Sequence, residues 1–174
     1  DHVDYEGELC VVIGKSCHRV RAEEAWGYVA GYTLLNDVSA RDYLPALAAA
    51  RTAIEGRWAW TDNLLAKQFP TFAPVGPAVL TADEVNDAST LRLTTTVNGE
   101  IMQDALLSDL AVDVPHLIEQ FSRYFVFQPG DVISTGTPAG VGAGRQPPAY
   151  LRDGDVVTIA VNEIGELTNP VVSR

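Results

Sequence analysis

Glu6 and Glu8 stand two residues apart, immediately before the apolar run Leu9-Cys10-Val11-Val12-Ile13, and Asp37 closes a second apolar run, Tyr32-Thr33-Leu34-Leu35-Asn36. Alternate side chains of a strand share a face, so both glutamates point the same way from a largely buried element. Two like charges so placed repel, and each gives up hydration. A positive group between them relieves both penalties, and a divalent cation is the simplest one. Three carboxylates with water in the remaining positions suit Mg²⁺, Mn²⁺ or Ca²⁺. They suit zinc poorly, since it prefers His and Cys. The competing reading makes Glu6, Glu8 and Asp37 solvent-facing polar residues at strand ends.

Other residues add to this chemistry. Lys67 lies between Leu64-Leu65-Ala66 and Phe69, an apolar setting in which an ammonium either neutralises an oxyanion or has a lowered pKa. The alternative is a surface lysine whose stem snorkels along apolar neighbours. Arg41 either clamps a substrate carboxylate or pairs with Asp37 or Asp42. In Gly130-Asp131-Val132-Ile133-Ser134-Thr135-Gly136-Thr137-Pro138-Ala139-Gly140-Val141-Gly142 a strand opens into a glycine-rich loop, with hydroxyls at Thr135 and Thr137. No Gly-Lys-Ser/Thr follows, so the loop is not a Walker phosphate cradle, and no helix clearly begins there to make a dinucleotide fingerprint. It reads otherwise as an ordinary turn. His2, His18 and His116 lack the spacing of a metal-binding pair, and no Gly-x-Ser-x-Gly elbow supports a serine hydrolase.

The elements that must position these residues are legible in outline. A first strand runs from about Tyr5 to Ile13 and a second from Tyr32 to Asp37. Between them Ala22, Ala25, Trp26 and Val29 recur at helical spacing, with Gly31 as the helix stop. Ala46 to Ala53 is alanine-rich and reads as helix, whereas residues 55–77 follow no period. Leu91, Leu93, Thr95 and Val97 alternate into the tight turn Asn98-Gly99 and back through Ile101. Val114, Leu117, Ile118, Phe121 and Phe125 mark an amphipathic helix with Pro115 near its start. Val132–Ile133, Val156–Val161 and Ile164–Val172 complete the strands. Strands outnumber helices without alternating with them, which predicts one α+β domain over residues 1–174 with a mixed, strongly curled sheet and peripheral helices.

Size and charge bound the function. A chain of 174 residues can bury a sizeable core, and 47% apolar with 20% charged residues is ordinary for a globular protein. A net charge of -11 argues against nucleic acid as a partner, because phosphate binding needs a Lys/Arg surface. Two cysteines make no disulfide framework, and neither a 20-residue apolar span nor a leader is evident, so the expectation is a cytoplasmic protein with no membrane association. The chain opens without methionine directly into a strand, and an upstream segment is expected.

Taken together these stretches resemble the fumarylacetoacetate hydrolase family. The resemblance is carried by Asp4-Tyr5-Glu6-Gly7-Glu8-Leu9 with Val11-Val12-Ile13-Gly14-Lys15, by Gly31-Tyr32-Thr33 leading to Asn36-Asp37-Val38-Ser39-Ala40-Arg41-Asp42, and by Phe72-Ala73-Pro74-Val75-Gly76-Pro77. Val97-Asn98-Gly99-Glu100 and Gly130–Pro138 add to it. Blocks in this order cover almost the whole chain.

The resemblance implies a divalent metal, Mg²⁺ or alternatively Mn²⁺ or Ca²⁺, on Glu6, Glu8 and Asp37. It also implies Lys67 and Thr137 at the oxygens of a 2-oxo acid substrate, Arg41 near its carboxylate end, and a homodimer. The expected reaction is hydrolysis of a carbon–carbon bond in an acylpyruvate of aromatic catabolism, with Lys67 as the catalytic residue. The alternatives are isomerisation or decarboxylation of a 2-hydroxy-dienoate through the same enolate, or a non-catalytic metal-binding paralogue. Four departures from the family pattern stand out. No counterpart of the family's upstream His–Glu pair lies within these residues to activate water, Leu44 stands where glutamine is common, the stretch from Asp37 to Lys67 is lengthened by Ala48-Ala49-Ala50-Arg51, and Pro70 follows Lys67-Gln68-Phe69 in place of a frequent aspartate.

Overall fold

The computed structural model describes residues 2–173, the side chains of Leu44 and Leu47 excepted, so the Leu44 departure lies outside what it describes. In chain order the strands are β1 (Val3–Asp4), β2 (Gly7–Ile13), β3 (Val29–Asn36), β4 (Ser39–Ala40), β5 (Val75–Thr81), β6 (Arg92–Val97), β7 (Glu100–Leu106), β8 (Val132–Ser134), β9 (Val156–Val161) and β10 (Gly165–Pro170). The α-helices are α1 (Leu44–Ala49), α2 (Ala53–Leu65) and α3 (Val114–Ser122).

Two four-stranded sheets form, ordered β5-β3-β2-β8 and β10-β9-β6-β7, with β1 and β4 pairing separately. Each pairing among the described strands is antiparallel. The single mixed, curled sheet expected from the sequence is therefore replaced by separate antiparallel sheets. Tight turns join β6 to β7 and β9 to β10 and make those two pairs antiparallel, while the other pairs form across longer connections. The first of these turns is Asn98-Gly99, with both residues at positive φ, 53° and 83°.

Leu9, Val11 and Leu34 of the first sheet share one apolar cluster with Leu93, Val97, Val157 and Ile159 of the second. β2 is buried along nearly its whole length, as a continuous apolar run requires, while β6 and β9 bury alternate residues. α3 begins at Asp113, whose carboxylate accepts from His116 N–H at 3.0 Å, and it buries Val114, Ile118 and Ser122. Cys10 and Cys17 are free and buried, and no described helix is long and apolar enough to cross a membrane.

Three sequence expectations shift. The Ala22–Tyr28 segment is 3₁₀-helical rather than α. Gly31 lies inside β3 rather than ending a helix, and a Cβ there would sit 2.1 Å from the Leu80 carbonyl oxygen, so close strand packing explains the glycine. The alanine-rich stretch splits: α1 ends at Ala49, and α2 is started afresh by a reciprocal cap. Thr52 Oγ1 accepts from Glu55 N–H at 3.2 Å, and the Glu55 carboxylate accepts from Thr52 N–H at 3.1 Å.

Candidate metal centre

Register brings the three acids together. Glu6 and Glu8 flank Gly7 at the start of β2, and Gly7 pairs with Asn36 at the end of β3. The next residue, Asp37, donates its N–H to the Glu6 carbonyl at 2.9 Å. One carboxylate oxygen from each of Glu6, Glu8 and Asp37 lies within 4.8 Å of the others, and both glutamates are buried. Solvent-facing strand ends are thereby excluded for the glutamate pair.

Lys67 enters from the far side, just beyond the end of α2, where Ala40 N–H donates to the Ala66 carbonyl at 3.0 Å. Its ammonium donates to Glu6 Oε2 at 2.9 Å and also to Asp37 Oδ2. Burial lowers the Lys67 pKa, but the Asp37 and Glu6 contacts outweigh it and hold the value above ordinary. Both contacts favour the charged ammonium over the lowered-pKa alternative.

Arg41 is committed to two other acids. Nη2 donates to Glu6 Oε1 at 2.5 Å and Nε to Asp4 Oδ2 at 2.9 Å, acids other than the Asp37 and Asp42 that the sequence offered as alternatives to a substrate carboxylate. Asp4 is fully buried and also accepts from the N–H groups of Tyr5, Gly142 and Ala143 at 2.9, 2.7 and 2.9 Å. Asp4 therefore anchors Arg41, which in turn fixes one oxygen of Glu6.

Glu8 accepts a hydrogen bond from Ser134 Oγ at the mouth of the glycine-rich loop. Burial, then Asp37 and Glu6, push its pKa from the ordinary 4.5 to about 8, with Lys67 opposing. With Glu8 ionised, the four acids Asp4, Glu6, Glu8 and Asp37 outnumber the two cations Arg41 and Lys67 by two negative charges. A doubly charged, oxygen-preferring ion matches both this surplus and the all-oxygen donor set.

Thr137 is close to the acidic strand, but its own proton is directed at the Gly7 carbonyl oxygen, 3.0 Å away. Gln103 Nε2 donates to the same hydroxyl at 2.7 Å. His2 is turned away: its ring contacts Asp42 Oδ1 at 2.7 Å and meets Tyr150 edge-on at 4.7 Å. An apolar cleft of 870 Å³ lined by Val38, Phe69, Phe72, Leu151 and Val171, among others, lies beside Asn36 and Val38, the neighbours of Asp37.

Sequence reasoning missed Asp4, Gln103 and Ser134. Asp4 had a signal, since it continues the alternation of Glu6 and Glu8 by one step towards the amino terminus. Gln103 and Ser134 had none, because their partners lie 96 and 126 residues away.

Residues 1–172 match the sequence profile of a family described as "Fumarylacetoacetate (FAA) hydrolase C-terminal". The chain belongs to that family. Two fumarylacetoacetate hydrolase-family relatives are a human mitochondrial protein named oxaloacetate tautomerase FAHD2B and oxaloacetate tautomerase YisK of Bacillus subtilis. The first is 44% identical over 98% of this chain and 51% of its own length, and the second 39% identical over 97% and 52%. Among solved family structures, maleylpyruvate hydrolase from Sphingobium sp. SYK-6, in complex with manganese(II) ion and pyruvate, superposes with a TM-score of 0.79 at 36% identity, over 98% of this chain and 55% of that one. The chain spans about half the length of the curated relatives it matches.

Proposed function

We propose that this chain forms the acidic centre of a divalent-metal-dependent 2-oxo acid tautomerase, acting on oxaloacetate or a close relative. The observation that carries the reading is the convergence of Glu6, Glu8 and Asp37 around a two-charge surplus, in a chain similar to two proteins named oxaloacetate tautomerases. The reading moves the weight from the expected carbon–carbon hydrolase to its isomerase alternative.

Glu6, Glu8 and Asp37 are the proposed ligands of Mg²⁺ or Mn²⁺. Such an ion would supply Lewis-acid stabilisation of negative charge developing on a 2-oxo acid. Lys67 places a positive charge beside the same carboxylates, where negative charge develops on the substrate oxygens. Arg41 and Asp4 hold Glu6 in one rotamer, and Ser134 orients Glu8. With its proton held on the Gly7 carbonyl, Thr137 can accept from a substrate enol hydroxyl through its remaining lone pair.

Hydrolysis is the second reading, supported by the similarity to maleylpyruvate hydrolase. It needs a base for water, and two of the histidines are engaged elsewhere, His2 with Asp42 and His116 with Asp113. The proposed assembly is a homodimer.

The deciding experiment follows oxaloacetate by ultraviolet absorbance and acylpyruvates by NMR, with Mg²⁺ present. Accelerated enol–keto exchange without carbon–carbon cleavage is expected. Two fragments from an acylpyruvate, with no acceleration of tautomerisation, would favour the hydrolase.

A further inference from the structure

We propose that Gln103 is a positioning residue for the acidic centre: it locks the peptide between Glu6 and Glu8 to the loop that carries Thr137, and so sets the direction of the Thr137 hydroxyl. Its kinetic consequences rest on the 2-oxo acid reading above, whereas its structural consequence does not.

Gln103 lies on β7 and is 1% exposed, an unusual place for a primary amide unless its bonds are satisfied. Oε1 accepts from Gly7 N–H at 3.0 Å, and Nε2 donates to Thr137 Oγ1 at 2.7 Å and to the Pro138 carbonyl at 2.8 Å. The amide cannot be turned over, because Gly7 N–H can only donate and the Pro138 carbonyl can only accept. Since Nε2 donates into Thr137 Oγ1, the hydroxyl sends its own proton to the Gly7 carbonyl at 3.0 Å. The result is a closed circuit from Gly7 N–H through Gln103 and Thr137 back to Gly7 C=O. Gly7 is the single residue between the two glutamates, so both of its polar backbone groups are held by this circuit. Opening the circuit leaves buried groups unpaired on both segments, a penalty that falls on the residue between Glu6 and Glu8 and on the loop that carries Thr137.

Gln103→Met keeps the volume and removes all three bonds. The expected result is a loss in kcat of about ten- to a hundredfold with KM changed by less than about threefold, since positioning rather than binding is lost. In a Thr137→Val background the same substitution should cost less than it does in the wild type, because the bond to Thr137 is already lost and only those to Gly7 and Pro138 remain to be removed. Hydrogen exchange at the Gly7 amide, followed by NMR without metal or substrate, should accelerate at least about tenfold.

Gln103→Glu covers a failure of the methionine variant to fold. It keeps the acceptor for Gly7 N–H, but a buried carboxyl offers at most one proton where the amide donated to both Thr137 and the Pro138 carbonyl, so Gly7 stays protected while kcat falls. Strictly additive losses in the double variant, an unchanged Gly7 exchange rate in Gln103→Met, or full kcat in Gln103→Glu would each overturn the assignment. A wild-type protein that turns over no 2-oxo acid removes the tautomerase reading, and the Gly7 exchange result then decides the role of Gln103 by itself.

Discussion

Gly7 and Thr95 approach so closely that a Cβ at position 7 would lie 2.0 Å from the Thr95 hydroxyl oxygen. The two residues belong to different sheets, β2 and β6, so this contact sets how near the strand bearing the glutamates comes to the sheet beneath it. Thr95 Oγ1 is buried without a hydrogen-bond partner among the described residues. Gly7→Ala is expected to destabilise the fold by about 1–3 kcal/mol through overpacking. Thr95→Ala should restore part of that loss in the double variant. Urea denaturation of the two single variants and the double variant checks the coupling.

Asp4 supports Arg41 from a fully buried position. Asp4→Asn keeps the shape and leaves Arg41 paired with Glu6, but an amide cannot accept at all the positions Asp4 uses, towards Arg41 Nε–H and the N–H groups of Gly142 and Ala143. Leaving a buried donor unpaired costs about 1–3 kcal/mol. Thermal unfolding should show the change, and Mn²⁺ affinity should fall as Arg41, less firmly anchored, holds Glu6 less tightly.

Lys67 adds positive charge to a site proposed to bind a cation, so its two effects should separate. Lys67→Met is expected to lower kcat by about a hundredfold while leaving Mn²⁺ affinity unchanged or tighter. Steady-state kinetics beside calorimetry tests this. Weaker Mn²⁺ binding with intact turnover would make the lysine a structural residue.

Glu8 gives the pH dependence its sign. Its folded-state pKa, about 8, lies above the ordinary 4.5, so the ion-free native protein binds the proton more tightly than the unfolded chain. Its contribution to ion-free stability is therefore present below the ordinary value and is lost as pH rises towards about 8. Metal binding must expel that proton. Mn²⁺ affinity should rise about tenfold per pH unit up to about pH 8 and then level off. Calorimetry across this range, with the Glu8→Gln variant as a flat control, checks the slope.

The acidic pair was legible because strand alternation is local: Glu6 and Glu8 precede an apolar run, which fixes their common face without any long-range information. Asp37 was legible as the residue ending the next apolar strand. The Asn98-Gly99 hairpin and the Pro115 helix were read from equally local signals. α2 was missed because Trp58, Trp60 and Leu64 leave it exposed and apolar without a helical stripe, although the Thr52–Glu55 cap announced its start. The antiparallel sheets and the Gln103 circuit depend on pairings between distant segments, which no local period encodes. The contacts of Lys67 likewise depend on two acids at positions 6 and 37, not on its apolar neighbours.

The central claim is that Glu6, Glu8 and Asp37 together hold one divalent ion, and Mn²⁺ calorimetry on the wild type and on Glu6→Gln, Glu8→Gln and Asp37→Asn tests it most directly. The account predicts one ion per chain in the wild type and at least about a hundredfold weaker binding in each variant, because each loses a charged oxygen ligand. Wild-type affinity retained in any two of the three variants would contradict it.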